Sequence, residues 1–261
     1  MDVGTAKPSR TEQARIRHWM IDLVEPCDTY TVSRYRAEAE RVLKRLEAAK
    51  KPGIVVGGTG FYIRALLDGL RLPPVPPDPA LRQRLRDEVT ARGTTELWQR
   101  LERVDPSSAA RVHPNNVPRL IRALEVVEKL GGPVLTRHHS KPRDALYIGL
   151  SMDRPRLHDV TNRRVASQVE AGLVEETRQL LAMGYDPASP ALDGFGYREM
   201  VAHLQGLWSL DQAVEAYRAS TRRYIRRQMT WFRADARINW FDVERAPEPT
   251  IVAMIQRWLE G

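Results

Sequence analysis

Apolar residues recur at three- and four-residue spacing over residues 32–50, where Val32, Tyr35, Val42, Leu43, Leu46 and Ala49 share one face and charged residues take the other. That period predicts an amphipathic helix. Pro52 and Gly53 stop it, and Ile54-Val55-Val56 predicts a buried strand. Gly57-Gly58-Thr59-Gly60 follows at once, and residues 61–70 return to a helical pattern. Strand, glycine-rich turn and helix in this order make a unit of the α/β kind. Upstream, residues 13–24 end in the apolar run Trp19-Met20-Ile21-Asp22-Leu23-Val24, closed by Glu25-Pro26, which predicts a second buried strand.

The pattern then changes. Five of the seven residues from 73 to 79 are proline, which enforces an extended, semi-rigid connection. Beyond it, residues 81–92, 95–104 and 118–130 read as charge-rich helices, and strand character returns only at residues 145–150. Residues 73–143 are therefore predicted to be a mainly helical insertion. It is bounded by the proline hinge and by Gly131-Gly132-Pro133 with the loop that follows. Residues 1–72 and 144–261 form the α/β core, in which most segments after residue 156 are helical and a last short strand falls at residues 238–241.

A length of 261 residues suits one large domain with an elaboration. No apolar run approaches the roughly 20 residues that span a bilayer, so no membrane partner is expected. The opening Met1-Asp2-Val3-Gly4-Thr5-Ala6-Lys7-Pro8 lacks the apolar centre of a secretory signal. Cys27 is the only cysteine, which excludes an internal disulfide and a cysteine-based zinc cluster and points to a reducing compartment, the cytoplasm. Lys and Arg number 41 against 33 Asp and Glu, a net charge of +8. That excess favours a polyanionic partner, or is the surface of a merely basic protein.

Where the charge lies sharpens the choice. Arginines occupy positions 218, 222, 223, 226, 227 and 233, with no acidic residue between Glu215 and Asp235. On a helix Arg218, Arg222 and Arg226 stack at four-residue spacing, with Arg223 and Arg227 in the next row. Such rows repel themselves unless an anion lies alongside, and guanidinium binds phosphate bidentately. Gln228, Trp231 and Trp240 add hydrogen-bonding and stacking groups. The bland alternative is a basic helix neutralised by carboxylates from elsewhere in the fold. A second cluster, Arg111, His113, Asn115, Asn116, Arg119 and Arg122, suits contacts to a sugar-phosphate backbone, or equally a helix capped by Asn116 with exposed arginines. Gly57-Gly58-Thr59-Gly60 fits either a phosphate or base cradle or a ligand-free tight turn, and no Gly-Lys-Ser/Thr follows it. The histidines show no metal-ligand spacing, His138-His139 reads as loop, and Glu175-Glu176 reads as a solvated helix face.

Several strings, in order along nearly the whole chain, resemble the bacterial tRNA dimethylallyltransferase (isopentenyl transferase) family. They are residues 1–8, residues 18–22, Gly57-Gly58-Thr59-Gly60-Phe61-Tyr62, Arg119-Leu120-Ile121-Arg122-Ala123-Leu124-Glu125-Val126, Gly196-Tyr197-Arg198-Glu199 and residues 221–233. The resemblance implies a nucleotide-binding P-loop NTPase-like parallel-sheet core, with a helical insertion that grips the tRNA anticodon stem-loop. The implied activity is transfer of a dimethylallyl group from dimethylallyl diphosphate to the exocyclic amine of the adenosine 3′ to the anticodon. Thr59 matches the glycine-loop threonine that touches the target nucleotide, and Arg222 matches the arginine that holds the diphosphate. Arg82 and the segment Pro118, Arg119, Leu120, Ile121 and Arg122 match tRNA-contacting positions. Arg226, Arg227 and Gln228 are further candidates for tRNA contact. Asp22 matches the family's aspartate, although Trp19 replaces a histidine and Pro118 stands where glutamine is common.

The resemblance also implies parts that lie ahead of Met1: a first strand, a P-loop with its lysine and Mg2+-binding hydroxyl, and a general-base aspartate. The chain is thus expected to be N-terminally truncated and inactive as given, with Mg2+ a cofactor of the full-length enzyme and no metal ligand within this chain. A monomer is expected. The alternatives are a catalytically dead tRNA-binding remnant, and a nucleotide or nucleoside kinase on the same core.

Overall fold

Helices carry most of the protein. The computed structural model describes residues 1–70, 72–133 and 141–260. Its helices are α1 (Arg10–Arg15), α2 (Val32–Ala48), α3 (Gly60–Leu67), α4 (Pro79–Arg92), α5 (Thr94–Val104), α6 (Pro106–Ala109) and α7 (Val117–Leu130). After strand β1 (Tyr147–Ser151) come α8 (Arg154–Glu170), α9 (Leu173–Ala182), α10 (Tyr197–Leu204) and α11 (Leu210–Arg233), then β2 (Ile238–Asp242) and α12 (Glu248–Glu260). The starts follow side-chain caps that satisfy otherwise unpaired amides. Thr31 caps α2, Asp78 caps α4 ahead of Pro79, Asn116 caps α7, and Ser209 with Gln212 closes a reciprocal box on α11. Gly131, at φ +68°, ends α7 in the left-handed conformation that glycine tolerates best.

The chain divides into two compact units, Met1–Leu67 with Arg143–Gly261, and Asp68–Pro142. In the first, Val165, Leu173, Leu180, Leu192, Tyr197, Met200, Ala213 and Tyr217 form the buried core between α8, α9, α10 and α11. Strands β1 and β2 pair in parallel, with Tyr147 opposite Ile238 and Ser151 opposite Asp242. In the second, Leu85, Leu97, Leu101, Leu120 and Leu124 pack α4, α5 and α7 together.

Two expected strands are not formed. Residues 19–24 form bends, because Met20 and Asp22 take φ of +66° and +53°, outside the extended region a ladder needs. Residues 54–56 have no strand assignment among the described residues, and Ile54 and Val56 stand 84% and 89% exposed. The α/β expectation is thereby narrowed to a mostly helical protein with a small parallel sheet. The expected strands at residues 145–150 and 238–241 are that sheet.

Two carboxylates, one half-buried and one buried, tie the first unit together. Glu176 was expected on a solvated face, but it accepts hydrogen bonds from the backbone amides of Asp2, Val3 and Gly4 and from the Tyr197 hydroxyl at 2.6 Å. Its neighbour Glu175 does face solvent and pairs with Arg178. Burial pushes the Glu176 carboxyl up, and these donors outweigh it, so the group is held below the usual range. Glu199, 1% exposed, accepts from the Gly196 amide at 2.9 Å, Ser220 Oγ at 2.9 Å and Arg198 Nη2 at 2.9 Å, fastening α10 to α11.

Candidate active site

The glycine turn and α11 meet directly. Thr59 starts α3: its carbonyl accepts from the Tyr62 and Ile63 amides, and its residue is exposed. The Gly58 carbonyl accepts from Gln228 Nε2 at 3.0 Å and from the Tyr224 hydroxyl at 3.5 Å. A Cβ on Gly60 would fall 2.1 Å from Trp231 Nε1, so the indole lies against bare backbone there. Tyr224, Gln228 and Trp231 fall within one stripe at helical spacing, which presses α11 onto the turn. Glycine is required here for close approach by another helix.

Arg222 lies on another stripe of α11, about a third of a turn round the helix from Gln228. Its Nη2 donates to Glu215 Oε1 at 2.8 Å, and its Nη1 donates to Asn162 Oδ1 of α8 at 3.3 Å. Glu215 also takes Arg218 at 3.5 Å and is held below its ordinary pKa, chiefly by the hydrogen bond from Arg222. Part of the arginine row is thus met by one carboxylate from the start of the same helix, a source the bland reading placed elsewhere in the fold. With Glu215 60% exposed, that pair is the exchangeable surface kind, worth about 0–1 kcal/mol. Arg223 donates to Ser220 Oγ, whereas Arg226, Arg227 and Arg233 are exposed and have no carboxylate partner among the described residues. An open groove of about 870 Å³ runs past Arg226, Arg227, Trp231 and Arg237.

In the second unit the expected tRNA-contacting residues separate into two groups. Pro118 and Arg119 are exposed at the start of α7. The side chains of Leu120 and Ile121, 0% and 5% exposed, are packed into the core. Arg82 and Arg122 converge on Glu125, whose side chain is fully buried. Burial pushes the Glu125 carboxyl up, but bonds from Arg82, the Asp78 amide and Arg122 prevail and hold it at about 2. A depressed carboxylate stabilises the fold fully above its unfolded pKa of 4.5 and loses that contribution as pH falls towards 2. We therefore expect on the order of 3 kcal/mol of stability to vanish across that window. Urea melts at pH 6 and pH 3 would show it, and Glu125→Gln should remove that part of the pH dependence.

His138 and His139 lie outside the described residues. Among the described residues, no group of three or more His, Cys, Asp and Glu is gathered where it could hold a metal. Sequence reasoning missed Glu125, Glu176 and Glu199. The usable signals were a glutamate three residues after Arg122 inside an apolar helix face, and a Gly-x-x-Glu spacing at a helix start.

Comparison with known proteins places this architecture. The family model described as IPP transferase matches residues 1–235. The chain is 40% identical over 245 residues to the tRNA dimethylallyltransferase of Thermomicrobium roseum, covering 93% of this chain and 74% of that one. It is 41% identical over 266 residues to that of Gloeobacter violaceus, covering 100% of this chain and 86% of the other. Among solved structures, the full-length tRNA isopentenylpyrophosphate transferase of Bacillus halodurans superimposes with a TM-score of 0.72 at 33% identity, covering 100% of this chain and 84% of that chain.

Proposed function

The chain belongs to the IPP transferase family, and from that membership and the site geometry we propose that it transfers a dimethylallyl group from dimethylallyl diphosphate to the exocyclic amine of the adenosine 3′ to the tRNA anticodon. The observation that carries this reading is the exposed Thr59 turn seated on the arginine-rich helix α11. In the reaction the allylic C–O bond breaks, an N–C bond forms, diphosphate departs and the amine loses a proton. An adenine amine is a weak nucleophile, so the step depends on alignment and on neutralising the charge that grows on the leaving group.

Arg222 suits that second task. Its hold on Glu215 is a surface pair that a diphosphate, with more charge and better bidentate geometry, displaces readily. The exposed Thr59 hydroxyl hydrogen-bonds the target nucleotide in this reading, once the base has left its stack. Arg226, Arg227 and the Gln228 carbonyl oxygen offer further RNA contacts on the first unit. Pro118, Arg119, Arg82 and Arg122 offer them on the second, which we take as the insertion that meets the anticodon stem-loop.

The P-loop NTPase-like description of the core draws support from the parallel β1–β2 pair and from the order of apolar run, glycine turn and helix at residues 54–67. Mg2+ belongs to the reading through the diphosphate that it accompanies. Because the described residues gather no metal cage, none of the steps assigned to this chain runs through it. Residence in the cytoplasm as a monomer completes the proposal, and among the described residues no helix is long and apolar enough to cross a membrane. No observation favours the expected inactivity, the kinase or the binding-remnant alternative.

The test uses tRNA and labelled dimethylallyl diphosphate, with binding and nucleoside mass spectrometry as readouts. Prenylated adenosine, with saturable binding of both ligands, is the expected outcome. Labelled phosphate appearing on a nucleoside while neither tRNA nor the isoprenoid diphosphate binds would contradict the proposal.

A further inference from the structure

Two arginines of the second unit share one buried carboxylate. Arg82 grips Glu125 bidentately, Nε to Oε1 and Nη2 to Oε2, both at 2.8 Å. Arg122 donates Nη1 to the same Oε2 and Nη2 to the carbonyl of Val75, in the proline-rich hinge, at 2.9 Å. The Asp78 amide completes the shell at 2.7 Å, and Lys129 pairs with the Asp78 carboxylate. Every bond to Glu125 therefore comes from the hinge, from α4 or from α7 itself. The glutamate is wholly buried, whereas the Arg82 and Arg122 side chains are 30% and 36% exposed.

We propose that Glu125 is a positioning residue for RNA binding, fixing Arg82 and Arg122 side by side so that their outward N–H edges take a backbone phosphate of the RNA. The inference rests on the transferase reading above. Two guanidinium groups against one carboxylate leave a surplus of one positive charge, and it is carried at the surface. Arg82 Nη1 and Arg122 Nε have no protein acceptor among the described residues. Guanidinium is a rigid planar fork, so fixing one edge fixes the direction of the other. A phosphate arriving there meets donors already oriented and loses little side-chain entropy in binding them.

The proposal predicts a sign that simple electrostatics reverses. Removing a negative charge should tighten binding to a polyanion; removing a positioning group should weaken it. The experiment titrates a fluorescently labelled anticodon stem-loop RNA with the wild-type chain and with Glu125→Gln over a range of salt concentrations, with circular-dichroism melts alongside. We expect Glu125→Gln to bind about tenfold more weakly. The slope of log affinity against log salt should flatten by about 0.7–0.9, the share of one phosphate contact. A folded Glu125→Gln that binds as tightly as wild type or tighter, with an unchanged slope, overturns the proposal and leaves Glu125 as a structural clamp.

If the variant does not fold, the wild-type arginine Nε–H resonances decide. Equimolar RNA should shift those of Arg82 and Arg122, and no shift in either while RNA binds elsewhere overturns the proposal. A wild-type chain with no affinity for the RNA would instead overturn the transferase reading, and this inference with it.

Discussion

Arg222→Ala is expected to lower the turnover of prenyl transfer about 10²–10³-fold while changing tRNA affinity by no more than about threefold. The asymmetry follows from where charge develops. The diphosphate gains negative charge only as the allylic C–O bond breaks, so a guanidinium beside it stabilises the transition state more than the bound substrate. Loss of the Glu215 pair alone would have little effect, because that pair is exposed and exchangeable. Arg222→Lys should recover only part of the turnover, since an ammonium supplies charge without the two parallel donors. Single-turnover rates and RNA titrations on the same preparations separate the two effects. A folded Arg222→Ala with wild-type turnover would remove Arg222 from the reaction. A loss of tRNA affinity equal to the loss of turnover would make it an RNA contact instead.

Gly60→Ala should destabilise the first unit by about 1–3 kcal/mol, the usual range for forcing extra atoms into a packed contact. Its new methyl would lie 2.1 Å from Nε1 and 2.2 Å from Cδ1 of Trp231. An indole is rigid, so relief must come from moving α3 or α11, and with them the registry of Thr59 against the arginine row. Two neighbours serve as controls. A methyl at Gly58 meets the tip of Gln228 at 1.8 Å, which a flexible side chain can vacate, and a methyl at Gly57 meets nothing within 4 Å. Stability in urea should therefore fall most for Gly60→Ala, less for Gly58→Ala and hardly at all for Gly57→Ala. Prenyl transfer should follow the same order. Equal losses at all three positions would mean that the turn depends on glycine's backbone freedom and not on the close seat of α11.

Much of this architecture was legible in the residues. The starts of α2, α4, α7 and α11 carry side-chain caps, and their apolar faces repeat at helical spacing, so local chemistry and periodicity agreed. The basic rows on α11 were visible because like charges at four-residue spacing are conspicuous. The strand expected at residues 19–24 failed for a reason that composition does not reveal: Met20 and Asp22, neither a glycine, adopt left-handed backbone. At residues 54–56 the apolar run was real, but a strand exists only by virtue of its neighbour, and no ladder partner is present among the described residues.

The candidate site was legible as residue types and not as geometry. Arg82, Arg119 and Arg122 look alike in sequence, yet Arg119 is exposed while the other two are anchored by Glu125. Leu120 and Ile121 lay inside a matching string, and their side chains belong to the core. A motif marks a neighbourhood, and burial decides which of its members reach a ligand. Glu176 illustrates the reverse case: a charged position on an amphipathic helix is half-buried and bonded by three backbone amides near the N-terminus.

On this reading the arginine row of α11 serves an anionic ligand beside the Thr59 turn. A crystal structure of the protein with the unreactive thiolo analogue of dimethylallyl diphosphate is the decisive test. We predict diphosphate oxygens within about 3 Å of the Arg222 guanidinium, with the Glu215 pair broken. Diphosphate bound elsewhere, with Arg222 still held by Glu215 and Asn162, would contradict the claim.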